Sequence, residues 1–230
     1  MKIHGLQKMT LLDYPGKVAC TVFFGGCDLR CPFCHNSDLL DGNAPALMED
    51  DELLSFLKKR RGLLEGVALT GGEPLLRPEL PELCRKIKEL GYPIKLDTNG
   101  FHPEALRGLI EKGLIDQAAM DVKNSPERYA VTCGRESLDL SALRESIALL
   151  KEGRIAYEFR TTVVAEFHDD ASFFGIRELI AGAGSYFLQK FTDRDSVMFA
   201  GLHAPSTEDM RRWAGIVRPY VGDVQLRGTD

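Results

Sequence analysis

Residues 18–38, with the sequence VACTVFFGGCDLRCPFCHNSD, join an apolar run of strand length to a loop that carries three cysteines. Cys27, Cys31 and Cys34 follow the spacing Cys-x3-Cys-x2-Cys, which lets three thiolates point into one pocket from a tight loop. A structural zinc centre or an electron-transfer cluster is commonly completed by a fourth protein ligand. If a cluster is held by only three cysteines, one of its metal positions has no protein ligand and is free to bind a small molecule.

The remaining cysteines offer no obvious fourth ligand. Cys20 lies within the apolar run and Cys84 on the apolar stripe of a helix-like segment, so both are expected to be buried small hydrophobic residues. Cys133 lies in the sequence VTCGRE, where a plain loop residue is favoured over a free thiol near the site. The histidines show no metal-ligand spacing, and four of them are expected on the surface or in loops: His4, His102, His168 and His203.

Apolar runs of strand length alternate along the chain with segments of helical periodicity, which predicts a parallel sheet built from βα units. The predicted strands are 18–24, 67–70, 94–98, 117–122, 156–164 and 186–191. The predicted helices are 50–61, 79–90, 103–112, 139–151, 171–181 and 206–217. A closed barrel of this kind needs eight such units. The sequence therefore predicts an α/β fold, a partial, open (β/α)6 TIM-like barrel, with residues 1–230 as one domain.

Polar or glycine-rich sequences follow four consecutive predicted strands at the same end. After the cysteine loop come TGGEP (70–74), LDTNG (96–100) and MDVKN (120–124). Loops at the carboxyl ends of parallel barrel strands converge on one face, where the chemistry of such barrels collects. The four sequences are therefore expected to form one site.

Composition excludes several classes of function. Hydrophobic residues make up 44% of the 230 residues and charged residues 27%, as in a soluble globular protein. The net charge of −5 argues against a general nucleic-acid binder, which needs a basic face. No apolar stretch approaches the ~18 residues of a membrane-spanning helix, and no signal peptide is evident. We expect a cytoplasmic protein with neither nucleic acid nor membrane as a partner.

The motifs resemble those of a known family. The cysteine spacing, with Phe33 before the third cysteine, resembles the cluster loop of the radical S-adenosylmethionine superfamily, and GGEP resembles its methionine-binding motif. Taken together, GGCDLRCPFCHNSD, TGGEP, LDTNGF and MDVKN resemble the glycyl-radical-enzyme activases, including the pyruvate formate-lyase activating enzyme. Residues 5–36 most resemble activating proteins of the anaerobic ribonucleoside-triphosphate reductase. The resemblance is strong over residues 5–125 and weak beyond them.

This resemblance implies a set of cofactors and the residues that bind them. Cys27, Cys31 and Cys34, in a cluster loop spanning residues 25–36, would ligate one [4Fe–4S] cluster, whose open iron would bind S-adenosylmethionine. No cysteine occurs in residues 35–66, where many activases carry further clusters. The residues implied to bind S-adenosylmethionine are Phe33, His35, Asn36, Gly71, Gly72, Glu73, Pro74, Asp97, Thr98, Asn99, Asp121, Lys123, Arg160 and Gln189.

Some of these residues have specific implied roles. Glu73 would accept hydrogen bonds from the amino group of S-adenosylmethionine, and Lys123 would neutralise its carboxylate. Asp97 and Asp121 would accept hydrogen bonds from amino or ribose hydroxyl groups, or would share a bound monovalent cation with Thr98.

The resemblance also implies an activity. A flavodoxin or ferredoxin would reduce the cluster, and cleavage of S-adenosylmethionine would give methionine and a 5′-deoxyadenosyl radical that takes a hydrogen atom from a glycine of a partner glycyl radical enzyme. The segment LLDYPGK favours anaerobic ribonucleotide reductase as the partner over pyruvate formate-lyase or another glycyl radical enzyme. Two alternatives remain: a radical enzyme for a small molecule such as a 7-deazapurine precursor, and a non-enzymatic metal or electron-transfer module.

Overall fold

The computed structural model describes residues 1–229. Its strands are β1 (Lys2–Ile3), β2 (Gly5–Thr10), β3 (Ala19–Phe24), β4 (Met48–Glu49), β5 (Gly66–Gly71), β6 (Ile94–Thr98), β7 (Gln117–Asp121), β8 (Ala156–Val163), β9 (Ser185–Lys190) and β10 (Asp223–Arg227). Its helices are α1 (Asp50–Lys59), α2 (Leu80–Glu89), α3 (Pro103–Glu111), α4 (Tyr129–Thr132), α5 (Ser141–Lys151), α6 (Asp170–Ile180) and α7 (Thr207–Val217).

Eight strands form one sheet in the order β2-β3-β5-β6-β7-β8-β9-β10. Strand β2 is antiparallel to β3, and all other neighbours are parallel. Parallel strands that are consecutive in the chain are neighbours in the sheet, as in a barrel, but β2 and β10 form its two edges. The prediction of a partial, open α/β barrel is confirmed.

All six predicted strands are present, as β3 and β5 to β9, and the sheet has two further strands that the sequence pattern missed. Strand β2 (GLQKMT) and strand β10 (DVQLR) lie at the edges and carry exposed polar side chains. An edge strand buries little of its surface, so neither has the apolar run that identified the buried strands. Strand β10 adds a seventh parallel strand to the predicted six.

Helix boundaries follow local signals in the sequence. Pro103 begins α3, and Gly113, just beyond the end of that helix, has a φ of 62°. Ser206 caps α7 by accepting a hydrogen bond from the backbone N–H of Asp209 at 3.0 Å. The one-turn helix α4 was not predicted, because four residues are too few to show a helical period.

The core lies between the sheet and its helices. Cys20 on β3 and Cys84 on α2 are fully buried free thiols, as predicted. Lys95, the second residue of β6, is an exception to the apolar interior, with 2% of its surface exposed. Among residues 1–229, no helix combines the length and apolarity needed to cross a bilayer.

Candidate active site

A cavity of about 460 Å³ lies at the carboxyl ends of the parallel strands. It is lined by every predicted site residue except Pro74: Cys27, Cys31, Phe33, Cys34, His35, Asn36, Gly71, Gly72, Glu73, Asp97, Thr98, Asn99, Asp121, Lys123, Arg160 and Gln189. Pro74 is buried and begins a short 3-10 turn, Pro74–Leu76. The structure therefore brings the four motifs together, and the contact of each residue with a cofactor stays a prediction.

The three cysteines form one wall of the cavity. Strand β3 delivers the chain to Gly26, whose φ of 87° turns it into the cysteine loop. The sulfur of Cys27 accepts a hydrogen bond from the N–H of Leu29 at 3.4 Å, and the N–H of Cys34 donates to the carbonyl of Cys31 at 3.0 Å. The loop is thus held by its own backbone, with all three thiols facing the same space.

This thiol set fits an iron–sulfur cluster better than a single metal ion. Within residues 1–229, no three His, Cys, Asp or Glu side chains are arranged to hold one ion. The cysteine ligands of a [4Fe–4S] cluster each bind a different iron, so their sulfurs need not converge on one point. Three soft sulfur donors facing one cavity are therefore the donor set that such a cluster needs.

Burial affects the three thiols unequally. It raises the pKa of Cys27 to about 12 and also raises that of Cys34. The pKa of Cys31 is instead lowered to about 7, chiefly by the influence of the neighbouring Cys133 thiol, which outweighs the effect of burial. Cys133 ends α4, and its carbonyl accepts a hydrogen bond from Arg30 N–H at 3.0 Å. It is thus a buried thiol against the cysteine loop rather than the plain loop residue that the sequence favoured.

The two glycines of TGGEP allow the end of β5 to contact the cysteine loop. The N–H of Gly72 donates to the carbonyl of Phe24 at 2.7 Å, and that of Glu73 donates to the carbonyl of Gly26 at 2.8 Å. A Cβ atom at position 72 would lie 2.0 Å from the Gly26 oxygen. A Cβ at position 71 would lie 2.3 Å from the Phe24 nitrogen, and Gly71 has a φ of 119°. Both positions require glycine because backbone meets backbone there.

The Glu73 carboxylate joins the TGGEP turn to the loop after β6. One oxygen accepts hydrogen bonds from Leu75 N–H (3.1 Å) and the Thr98 hydroxyl (2.9 Å), and the other accepts from Asn99 N–H (2.7 Å). Burial raises the pKa of Glu73 to about 7. These three donors hold the side chain in place, so Glu73 connects two of the four motifs within the protein itself.

Five charged side chains form a connected network: four lie on β6, β7 and β8, and Lys123 lies two residues beyond the end of β7. Asp97 lies 2.5 Å from the Lys95 nitrogen and 3.2 Å from Arg160 Nη1. Asp121 lies 2.5 Å from Arg160 Nε and 2.6 Å from the Lys123 nitrogen. Burial raises the pKa of Asp121, but the charges of Arg160 and then Lys123 outweigh it and hold that pKa well below its usual range.

The last residues of the cysteine loop, His35 and Asn36, which the resemblance implies bind S-adenosylmethionine, lie beside the segment after β9 and the end of β5. The His35 ring stacks on Phe191, with ring centroids 5.6 Å apart, and its Nε2 lies 2.8 Å from the carbonyl of Thr192. The Asn36 amide donates to the carbonyl of Gly71 at 2.9 Å. The hydroxyl of Ser37 donates to the Ser196 carbonyl at 2.5 Å. The end of the cysteine loop is therefore tied both to β5 and to the chain beyond β9.

Sequence reasoning missed several residues of this site. The sequence pattern predicts Lys95 only as part of a strand, although a lysine two positions before Asp97 on the same face of a buried strand indicates an internal ion pair. Asp28 accepts a hydrogen bond from the Asn99 amide (2.7 Å) and lies 3.0 Å from Nε2 of His102. His168 is in a loop as expected but is buried, and its Nε2 lies 2.9 Å from the carbonyl of Lys123.

Known proteins have sequences similar to this one. A protein of Methanocaldococcus jannaschii with the provisional name glycyl-radical enzyme activating enzyme is 29% identical over 98% of this chain and 95% of its own length. The pyruvate formate-lyase-activating enzyme of Clostridium pasteurianum is 37% identical over 105 residues, which is 44% of each chain.

Solved structures match the fold. The crystal structure of Streptococcus suis SuiB bound to S-adenosylmethionine superposes with a TM-score of 0.68, covering 89% of this chain and 51% of that one, at 12% identity.

The family model described as the Radical SAM superfamily matches residues 21–171, which include most of β3, the cysteine loop and the strands from β4 to β8. The enzymes of this family use a [4Fe–4S] cluster together with S-adenosylmethionine, and the three thiols facing the cavity provide the donors that this cluster needs. The chain belongs to the Radical SAM superfamily and is an enzyme of that type.

Proposed function

We propose that the protein generates a glycyl radical on a partner enzyme and that this partner is the anaerobic ribonucleoside-triphosphate reductase. The likeness to the Methanocaldococcus jannaschii protein supports the activase part, because it extends over nearly the whole of both chains. The sequence LLDYPGK, residues 11–17, supports the choice of reductase over pyruvate formate-lyase.

The observation that carries the proposal is the shape of the open barrel. The cavity is lined from Gln7 and Asp13 beside one sheet edge to Gln189 and Lys190 on β9, next to the other edge. Because the edge strands do not close the barrel, the cavity has a lateral entrance through which a polypeptide loop can reach it.

Exposed apolar side chains stand beside this entrance. Leu12 is 87% exposed, and the adjacent Asp13 lines the cavity. Leu11 and Met9 are also mostly exposed, and Met198 and Phe199 are exposed on the segment after β9. Grouped apolar residues that remain in water mark interaction sites more often than isolated ones do. A protein substrate would cover them on docking, whereas a small molecule inside the cavity would not.

The residues of the site have separable tasks in this reaction. Cys27, Cys31 and Cys34 would hold the cluster, and the turn Gly71–Glu73, hydrogen-bonded to the loop at Phe24 and Gly26, would fix its position. When bound, the cluster and S-adenosylmethionine supply the one-electron chemistry, with a flavodoxin or ferredoxin as the electron donor. The protein contributes a cavity that excludes bulk water and orients the target C–H bond.

The test uses anaerobically reconstituted protein with S-adenosylmethionine, a reductant and a candidate partner. We expect a glycyl-radical doublet in the EPR spectrum of anaerobic ribonucleotide reductase, with methionine and 5′-deoxyadenosine as products, and a weaker signal or none with pyruvate formate-lyase. A stronger signal with pyruvate formate-lyase would reverse the choice of partner. Cleavage of S-adenosylmethionine without a radical on either partner would favour a small-molecule substrate, and no cleavage would favour a non-enzymatic module.

A further inference from the structure

Asp97 on β6 and Asp121 on β7 are the two carboxylates that the family resemblance implies could share a bound metal cation. Each of their four oxygens is already in contact with a nitrogen of a basic side chain. For Asp97, Oδ1 lies 2.5 Å from Lys95 Nζ and Oδ2 lies 3.2 Å from Arg160 Nη1. For Asp121, Oδ1 lies 2.5 Å from Arg160 Nε and Oδ2 lies 2.6 Å from Lys123 Nζ.

The Arg160 guanidinium is the group that joins the two carboxylates. Strands β7 and β8 place Asp121 directly opposite Arg160 in the sheet register, and the arginine reaches across to Asp97 on β6. Its side chain is 16% exposed, so the bridge is shielded from water. A planar guanidinium with several fixed donors suits a position between two carboxylates, whereas an ammonium acts as a point charge.

Thr98, the third residue implied to share a cation, also has its hydroxyl hydrogen-bonded within the protein. The Thr98 hydroxyl donates to Glu73 at 2.9 Å and accepts from the N–H of Gly100 at 3.1 Å. Hard cations such as Na⁺, K⁺ or Mg²⁺ need several oxygen ligands with free lone pairs directed at one point. The residues present do not fit such an ion.

The charge balance leads to the same conclusion. The network holds three cations, Lys95, Lys123 and Arg160, and two anions, Asp97 and Asp121. A metal ion would add a further positive charge to a site that already has one in excess. An anionic ligand group would instead be balanced by that excess.

We propose that Arg160 is an internal cation that takes the place of a metal ion between Asp97 and Asp121, so that the protein binds S-adenosylmethionine without a bound metal cation at this position. Arg160 then acts as a positioning residue that fixes both carboxylates. The inference does not depend on which partner or substrate the protein uses.

The test measures the binding of S-adenosylmethionine to the reconstituted wild-type protein by equilibrium titration, without partner or reductant. Buffers contain K⁺, Na⁺, Mg²⁺ or only choline as the cation, at equal ionic strength. We expect the Kd to change by less than about twofold among them. Binding that is tenfold or more weaker in choline, with saturable recovery on adding one of the metal ions, would overturn the proposal.

Arg160→Gln provides the complementary measurement, because it vacates the space between the carboxylates while leaving a polar side chain. We expect this variant to bind S-adenosylmethionine at least fivefold more tightly in K⁺, Na⁺ or Mg²⁺ than in choline. The matched control is Arg154→Gln, which removes an exposed arginine ahead of β8 and should be as insensitive to cations as the wild type.

A folded Arg160→Gln variant that binds equally well in all buffers would also overturn the proposal. Circular dichroism establishes whether the variant folds. If it does not, the wild-type titration decides the question alone.

Discussion

The backbone contact at Gly72 gives a sharp prediction for the variant Gly72→Ala. A Cβ atom at this position would lie 2.0 Å from the oxygen and 2.6 Å from the carbon of the Gly26 carbonyl, where ordinary contacts begin at 3.4 Å. Neither atom is at the flexible end of a side chain. The cysteine loop and the TGGEP turn must therefore separate by about 1.4 Å, the difference between 3.4 and 2.0 Å.

A separation of this size disrupts two hydrogen bonds. These are the bonds from Glu73 N–H to the Gly26 carbonyl (2.8 Å) and from Gly72 N–H to the Phe24 carbonyl (2.7 Å). Leaving a buried hydrogen-bonding group unsatisfied costs about 1–3 kcal/mol, so the two together cost about 2–6 kcal/mol of unfolding free energy. For a chain of this size, this corresponds to a melting temperature that is lower by roughly 10 °C.

The assay is thermal unfolding of the cluster-free protein, followed by circular dichroism, together with the iron content after anaerobic reconstitution. We expect Gly72→Ala to melt earlier and to take up less iron, because the loop that carries Cys27 is displaced. Gly108→Ala is the matched control, since this glycine is inside α3 and a Cβ added there would have no atom within 4 Å. That variant should be stabilised by about 0.5–1 kcal/mol. A Gly72→Ala protein that melts within about 2 °C of the wild type would show that the Cβ atom is accommodated without separating the loop from the turn.

Three further predictions concern the cluster, the partner and pH. Cys31→Ala should lose cluster absorbance after reconstitution and all cleavage of S-adenosylmethionine; turnover by this variant would contradict the ligand assignment. Leu12→Ser should raise the half-saturating partner concentration about 30-fold, because burying a leucine contributes about 2 kcal/mol. The Leu12→Ser variant should cleave S-adenosylmethionine without partner as the wild type does. The control Leu63→Ser, at an exposed position at the opposite end of the strands, should change neither the half-saturating partner concentration nor this cleavage. Burial lowers the pKa of His168, so its contribution to stability is complete above pH ~6.5 and is lost as the pH falls below that value. In denaturant titrations, the free energy of unfolding of His168→Gln should fall less steeply below pH ~6.5 than that of the wild type. Equal dependence of this free energy on pH in the two proteins would disprove the effect.

Much of the fold follows from local patterns. Strands β3 and β5 to β9 were predicted because each contains a short apolar run, and the helices because their apolar residues recur with a helical period. The edge strands β2 and β10 were not predicted, because their pairing depends on a neighbouring strand rather than on their own composition. The cysteine loop and the sequences TGGEP, LDTNG and MDVKN all contribute residues to one cavity, since parallel strands present their carboxyl ends on the same side.

The order of the elements, the three clustered thiols and the end of the sheet where the polar residues gather could all be predicted from the amino-acid sequence. The pairing of those residues became visible only in the folded structure. Arg160 bridges Asp97 and Asp121, 63 and 39 positions away, and the carbonyl of Cys133 accepts a hydrogen bond from the N–H of Arg30 across more than a hundred residues. Position 72 requires glycine because the Gly26 carbonyl lies too close for a Cβ atom, and not only because of the turn in which Gly72 lies. Such pairings depend on which side chains the barrel brings within a few ångströms of one another, and no local periodicity carries that information.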